Sequence, residues 1–104
     1  MKIAETIYSQ LRTQQVKVWS WGANSWTAFE KGLFFKVQGF KFDGIVKITL
    51  MPSDTYKLEF IKDKAIVNVY EDVYYDGMVD IIDRYVEYTD ENYANDVNKA
   101  VYIF

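Results

Sequence analysis

Five carboxylates stand at successive spacings of 4, 4, 3 and 4: Asp72, Asp76, Asp80, Asp83 and Glu87. On a continuous helix that spacing lines one face. Such a stripe could hold a hard cation, or imitate the phosphate row of a nucleic acid and occupy a basic partner. The plainer reading is the solvated side of an amphipathic helix, with Asp80 and Arg84 as an ordinary i, i+4 pair. A Ca²⁺ site draws six or more oxygens from a loop that wraps the ion, and a straight helix face cannot wrap. No metal is therefore expected.

The chain has no Cys and no His. It has no thiol nucleophile, disulfide or thiolate metal site, and it lacks the commonest general base. The five glycines are scattered singly, so no phosphate-cradling loop is present. Tyr74, Tyr75 and Asp76 adjoin the carboxylate stripe, but no pair of nucleophile and base can be read from the spacing. Glycoside chemistry needs two carboxylates in a cleft, not on the polar side of a helix. The expectation is a protein that is not an enzyme and has no catalytic residue or cofactor.

Two groupings of aromatic residues could bind. Trp19, Trp21 and Trp26 fall within eight residues. Three indoles could form a stacking platform for bases or sugars, although large aromatics are more often packed inside. Trp26, read as lying in a loop, is the best placed of the three for exposure. The second grouping places Lys36, Lys47 and Lys57 among Phe34, Phe40 and Tyr70 on one face of a sheet. Rings interleaved with lysines on an open sheet suit single-stranded nucleic acid. They equally suit a half-solvated face that packs on a second subunit. The candidate binding surface is Trp26, Phe34, Lys36, Phe40, Lys47, Lys57 and Tyr70.

The elements that must position these residues follow from periodicity. Ile3, Ile7 and Leu11, widened by Ala4 and Tyr8, predict a helix over 2–13. Val16 and Val18 alternate with Lys17, Trp19 and Trp21, which predicts a strand over 15–21 and puts Trp19 and Trp21 on one face. Asp43-Gly44 reads as a two-residue type I′ turn. That turn sets Phe42 opposite Ile45, Val37 opposite Leu50 and Gly39 opposite Ile48. A turn at Pro52-Ser53-Asp54 sets Ile48 opposite Leu58 and Val46 opposite Phe60. A third, at Asp63-Lys64, sets Phe60 opposite Val67 and Leu58 opposite Val69. The result is an antiparallel meander over 33–42, 45–51, 56–62 and 65–71.

Its inner face holds Phe35, Val37, Val46, Ile48, Leu50, Tyr56, Leu58, Phe60, Val67 and Val69. Its outer face holds the lysines, with Lys47 opposite Glu59. A wide apolar stripe predicts a second helix over 75–88. A third helix from Thr89 and a short strand at 101–104 are alternatives for the end of the chain. The fold class expected is α+β: a two-layer domain over 1–104, an antiparallel meander of four to five strands with N-terminal and C-terminal helices on one face.

At 104 residues with half of them apolar, the chain is long enough for one core and too short for two. Charge is unevenly spread. Residues 1–70 carry 10 basic and 6 acidic side chains, net +4, whereas residues 71–104 carry 2 basic and 9 acidic, net −7. No apolar run reaches the ~18 residues of a membrane span. Met1 to Leu11 lacks the apolar stretch of a signal peptide, so a cytosolic location is expected.

Some of the residues have a familiar arrangement: Thr6-Ile7 with Gln10-Leu11, then Leu33, Phe35 and Val37, then Val46-Lys47-Ile48-Thr49-Leu50. Asp54 with Tyr56, Glu59-Phe60, and Val73-Tyr74 with Asp76 complete it. In these the chain resembles a set of small uncharacterised proteins encoded largely by bacteriophages and bacterial mobile elements. The resemblance runs from residue 6 to about residue 85, is mostly core periodicity, and carries over no site residue. It implies a phage-type origin and a bacterial host cytosol. Aromatic residues make up 18% of the chain, more than one small core needs. The functional expectation is an accessory protein that binds a protein partner or a second copy of itself, with single-stranded nucleic acid as the alternative.

Overall fold

A computed structural model describes residues 2–39 and 41–86. Eight elements follow in order: α1 (Lys2–Arg12), α2 (Gln15–Ser20), β1 (Asn24–Phe29), β2 (Gly32–Gln38), β3 (Asp43–Leu50), β4 (Tyr56–Lys62), β5 (Ala65–Val73) and α3 (Met78–Val86). The strands form one antiparallel sheet in sequence order, β1-β2-β3-β4-β5. The helices pack on a single face, so the molecule is an α+β meander with one covered layer.

The core explains the arrangement. Ala4, Ile7 and Leu11 repeat at helical spacing on α1 and are buried. Val79, Ile82 and Val86 do the same on α3. They meet Leu33, Phe35, Val37, Val46, Ile48, Leu58 and Phe60 from the sheet. Complete burial of a side chain such as Leu58 contributes about 2 kcal/mol, so these rows, not turn preferences, hold the layers together. The Tyr56 hydroxyl donates to Gln10 Oε1 at 2.8 Å and ties β4 to α1.

Residues 15–21 are not a strand. They form α2 and the turn after it. Val18 and Trp21 are buried, whereas Val16 and Trp19 are 82% and 73% exposed. The operative spacing is therefore three, not two. Trp21 Nε1 donates to Asp83 at 2.9 Å, and Lys17 Nζ pairs with Asp80 at 3.0 Å. Anchorage to α3 overrides the strand preference of the two valines.

Two of the three registers also differ from expectation. The β3–β4 pairing is as read, with Ile48 opposite Leu58, Val46 opposite Phe60 and Lys47 opposite Glu59. Between β2 and β3, Val37 faces Gly44 and Leu33 faces Ile48. Asp43-Gly44 starts β3 and is not the turn. The connection runs through 39–42, where Gly39 N–H donates to Phe42 O and the N–H groups of Lys41 and Phe42 donate to Val86 O. A β-carbon on Gly39 would overlap the Val86 side chain and carbonyl. The displacement is an even number of residues, so every side chain keeps its face.

Between β4 and β5 the error is odd. Lys62 faces Ala65 across Asp63-Lys64, whose φ angles of +53° and +67° are those of a type I′ turn. Val67 is then an extra residue, because Ile61 faces Ile66 while Phe60 faces Asn68. Beyond this bulge Leu58 faces Tyr70 and Glu59 faces Val69. Val67 and Val69, expected inside, are 51% and 40% exposed.

The helix expected over 75–88 starts at Met78, and Tyr74 and Tyr75 are exposed before it. Asp72 lies in β5 with φ +55° and Asp76 in the turn that follows, so the five carboxylates do not share one helix face. Glu87 and the alternatives for the chain end lie outside the described residues.

Candidate binding surface

The outer face of the sheet is built by alternation along each strand. From β2 it presents Phe34 and Lys36. From β3 come Ile45, Lys47 and Thr49, and from β4 Lys57, Glu59 and Ile61. The helices lie on the opposite face: Tyr8 of α1 and Tyr85 of α3 meet rings of the core.

Two chemically different patches result. On the β1 side, Phe29 and Phe34 lie 6.2 Å apart, and Lys47 Nζ sits 5.1 Å over the Phe29 ring. A shallow depression of about 670 Å³ beside them is lined by Lys47, Lys57, Glu59 and Met51, among others. On the β5 side the surface is aliphatic. Ile45, Ile61 and Ile66 form a row across three strands. Val69, opposite Glu59, extends the apolar surface along β5. Ile66 is 56% exposed, although it belongs to the sheet.

Four of the seven predicted surface residues lie on this face: Phe34, Lys36, Lys47 and Lys57. Phe40 is outside the described residues. Trp26 is not in a loop and is not free. It lies on β1, on the inner side, with its ring 4.3 Å from Phe35 and 5.0 Å from Tyr8. Tyr70 is also turned inward by the Val67 bulge, with ring contacts to Phe60 and Tyr85. The sequence reading missed Phe29 and the exposure of Val67 and Val69. Alternation of Thr27 and Phe29 against Trp26 and Ala28 was the available signal for β1. Nothing local marks the bulge.

The outer edge of β5, which pairs with no strand among the described residues, is the other feature. From Ala65 to Tyr70 the strand carries no charge and no proline, and all but Asn68 of these residues are exposed. The Val69 N–H donates to the neighbouring Asn68 Oδ1 at 2.8 Å.

The helix carboxylates are engaged elsewhere. Asp80 pairs with Lys17 and Asp83 accepts the indole N–H of Trp21. With Arg84 they line a small depression that includes neither Asp76 nor Tyr74. Among the described residues, no three acidic side chains gather as a metal site. Burial raises the Tyr56 hydroxyl above its usual 10.0 against an opposing effect of Gln10, but it lies in the inner layer. Also among the described residues, no helix is long and apolar enough to cross a membrane. Comparisons with protein-family models, with curated proteins and with solved structures return no match.

Proposed function

We propose that the protein is a small non-catalytic binding protein that engages another protein through the outer sheet face and the adjoining β5 edge. The observation that carries this reading is the aliphatic row Ile45, Ile61 and Ile66, extended by Val69. Ile66 and Val69 are exposed and Ile45 and Ile61 half-buried, and contiguous apolar surface reaching solvent is characteristic of contact sites. The rings and lysines of the β1 side supply a polar, aromatic rim of the kind that surrounds such sites. The resemblance to small phage and mobile-element proteins supports an accessory role in a bacterial host cytosol.

Single-stranded nucleic acid is the weaker reading. Two of its rings, Trp26 and Tyr70, are committed to the inner side. Glu59, only 8% exposed, lies opposite Lys47 and offsets the positive charge that a phosphate backbone would need.

Comparative capture with the intact chain and Ile61→Lys, at matched thermal stability, tests the proposal. A protein retained by the intact chain and lost with Ile61→Lys supports it. Equal retention by both, or salt-sensitive binding of labelled oligo(dT), contradicts it.

A further inference from the structure

We infer that the depression on the β1 side of the outer sheet face is a binding site for a free α-amino acid with an apolar side chain. The site lies apart from the aliphatic β5 side and does not depend on the protein contact proposed above.

Glu59 is the residue that points to a ligand. It is only 8% exposed, although it lies on the face of the sheet opposite the helices. Among the described residues its carboxylate makes no hydrogen bond and no ion pair. Lys47 stands directly opposite, yet its ammonium lies over the Phe29 ring at 5.1 Å. No oxygen of Glu59 is sealed from water, so the carboxylate opens on the depression that the residue lines. A buried carboxylate without a partner is costly for the fold alone. It is what a site needs in order to hold a hydrogen-bond donor.

The neighbours define what that donor is attached to. Lys47 lies across the sheet from Glu59, and Lys57 lies two residues away on the same face of β4. A bare amine seated on Glu59 would meet both ammonium groups, and a bare acid seated between the lysines would meet Glu59. A molecule with an ammonium and a carboxylate a few bonds apart satisfies both signs, and charge-assisted hydrogen bonds are the strong ones. An α-amino acid carries the two groups on one carbon.

The remainder of the depression suits an apolar side chain. Phe29, Leu50, Met51 and Pro52 line it, while Glu30 and Lys31 of the β1–β2 turn offset each other in charge. Gly32 lets the Phe29 ring lie against the strand, since a β-carbon there would come within 2.9 Å of the ring. At about 670 Å³ the depression falls in the size range of small-molecule sites.

Titration of the full chain with L-leucine, followed by amide NMR shifts, tests the site. The expected result is a saturable shift of the Lys47, Lys57 and Glu59 amides. Isocaproate, which lacks the amine, and isoamylamine, which lacks the carboxylate, bind at least about tenfold more weakly, because each leaves charged groups of the site without a partner. Glu59→Gln keeps the shape of the side chain and weakens L-leucine about tenfold or more. It melts no lower than the intact chain, because the charge it removes has no partner in the fold. Absence of a saturable shift with L-leucine overturns the inference. So does equal binding of isocaproate or isoamylamine, or L-leucine binding that Glu59→Gln does not weaken. A lower melting temperature for Glu59→Gln overturns it as well, since the carboxylate would then serve the fold. None of these outcomes bears on the Ile61→Lys comparison, which reads the β5 side.

Discussion

The two edges of the sheet differ in what they show to solvent. β1 is short, carries Asn24, Ser25 and Thr27, and shifts register between Asn24 and Thr27, with Ser25 at φ +57°. Trp26 locks it down, held between Phe35 of β2 and Tyr8 of α1. β5 is longer, is apolar from Ala65 to Val67, and shows exposed Val67 and Val69 to solvent. One edge is held by a ring packed against a helix. The other is irregular too, at Val67 and at Asp72, but exposes aliphatic side chains. Trp26 packs against the core, which contains neither Val67 nor Val69, so the exposure of the two valines has its meaning at the surface.

The comparison predicts unequal costs of mutation. Trp26→Ala removes the anchor of β1 and should destabilise the fold by about 3 kcal/mol, read from urea denaturation. A loss under about 0.5 kcal/mol would mean that the closed edge is not closed by Trp26. At the β5 turn, Lys64→Gly relieves a side chain held at φ +67° and should add about 0.5–1 kcal/mol in dilute solution. Val69→Thr, on the exposed edge, should change monomer stability by less than about 0.5 kcal/mol in the same assay.

The smallest effect concerns pH. The Tyr56 hydroxyl is raised in the folded state chiefly by burial. Its stabilising contribution is thus fully present below the unfolded value and is lost as pH rises through the folded one. Urea midpoints should fall above about pH 10, and Tyr56→Phe should flatten that part of the fall. An unchanged alkaline slope in the variant would remove Tyr56 as its cause.

The fold class and the β3–β4 register were legible because Val46, Ile48, Leu58 and Phe60 alternate without interruption across a recognisable turn. The β2–β3 turn was not, because its position depends on Val86 O receiving the amides of Lys41 and Phe42, more than 40 residues earlier in sequence. The bulge at Val67 was invisible for a different reason. An alternating pattern reads equally well one residue out of step until the partner strand is known. That single residue turned Tyr70 inward and Val69 outward, and so moved the emphasis of the candidate surface from rings and lysines to an aliphatic edge. Residues 15–21 show the limit of period-two reading in short segments. Such a segment alternates acceptably as a strand, yet the ammonium of Lys17 and the indole of Trp21 reach Asp80 and Asp83 from a helix and the turn after it.

Amide hydrogen exchange tests the contrast between the edges most directly. The Val69 amide, bonded to the side chain of its own neighbour, should exchange faster than the amides of β1 beside Trp26. Equal exchange at both edges would contradict the contrast.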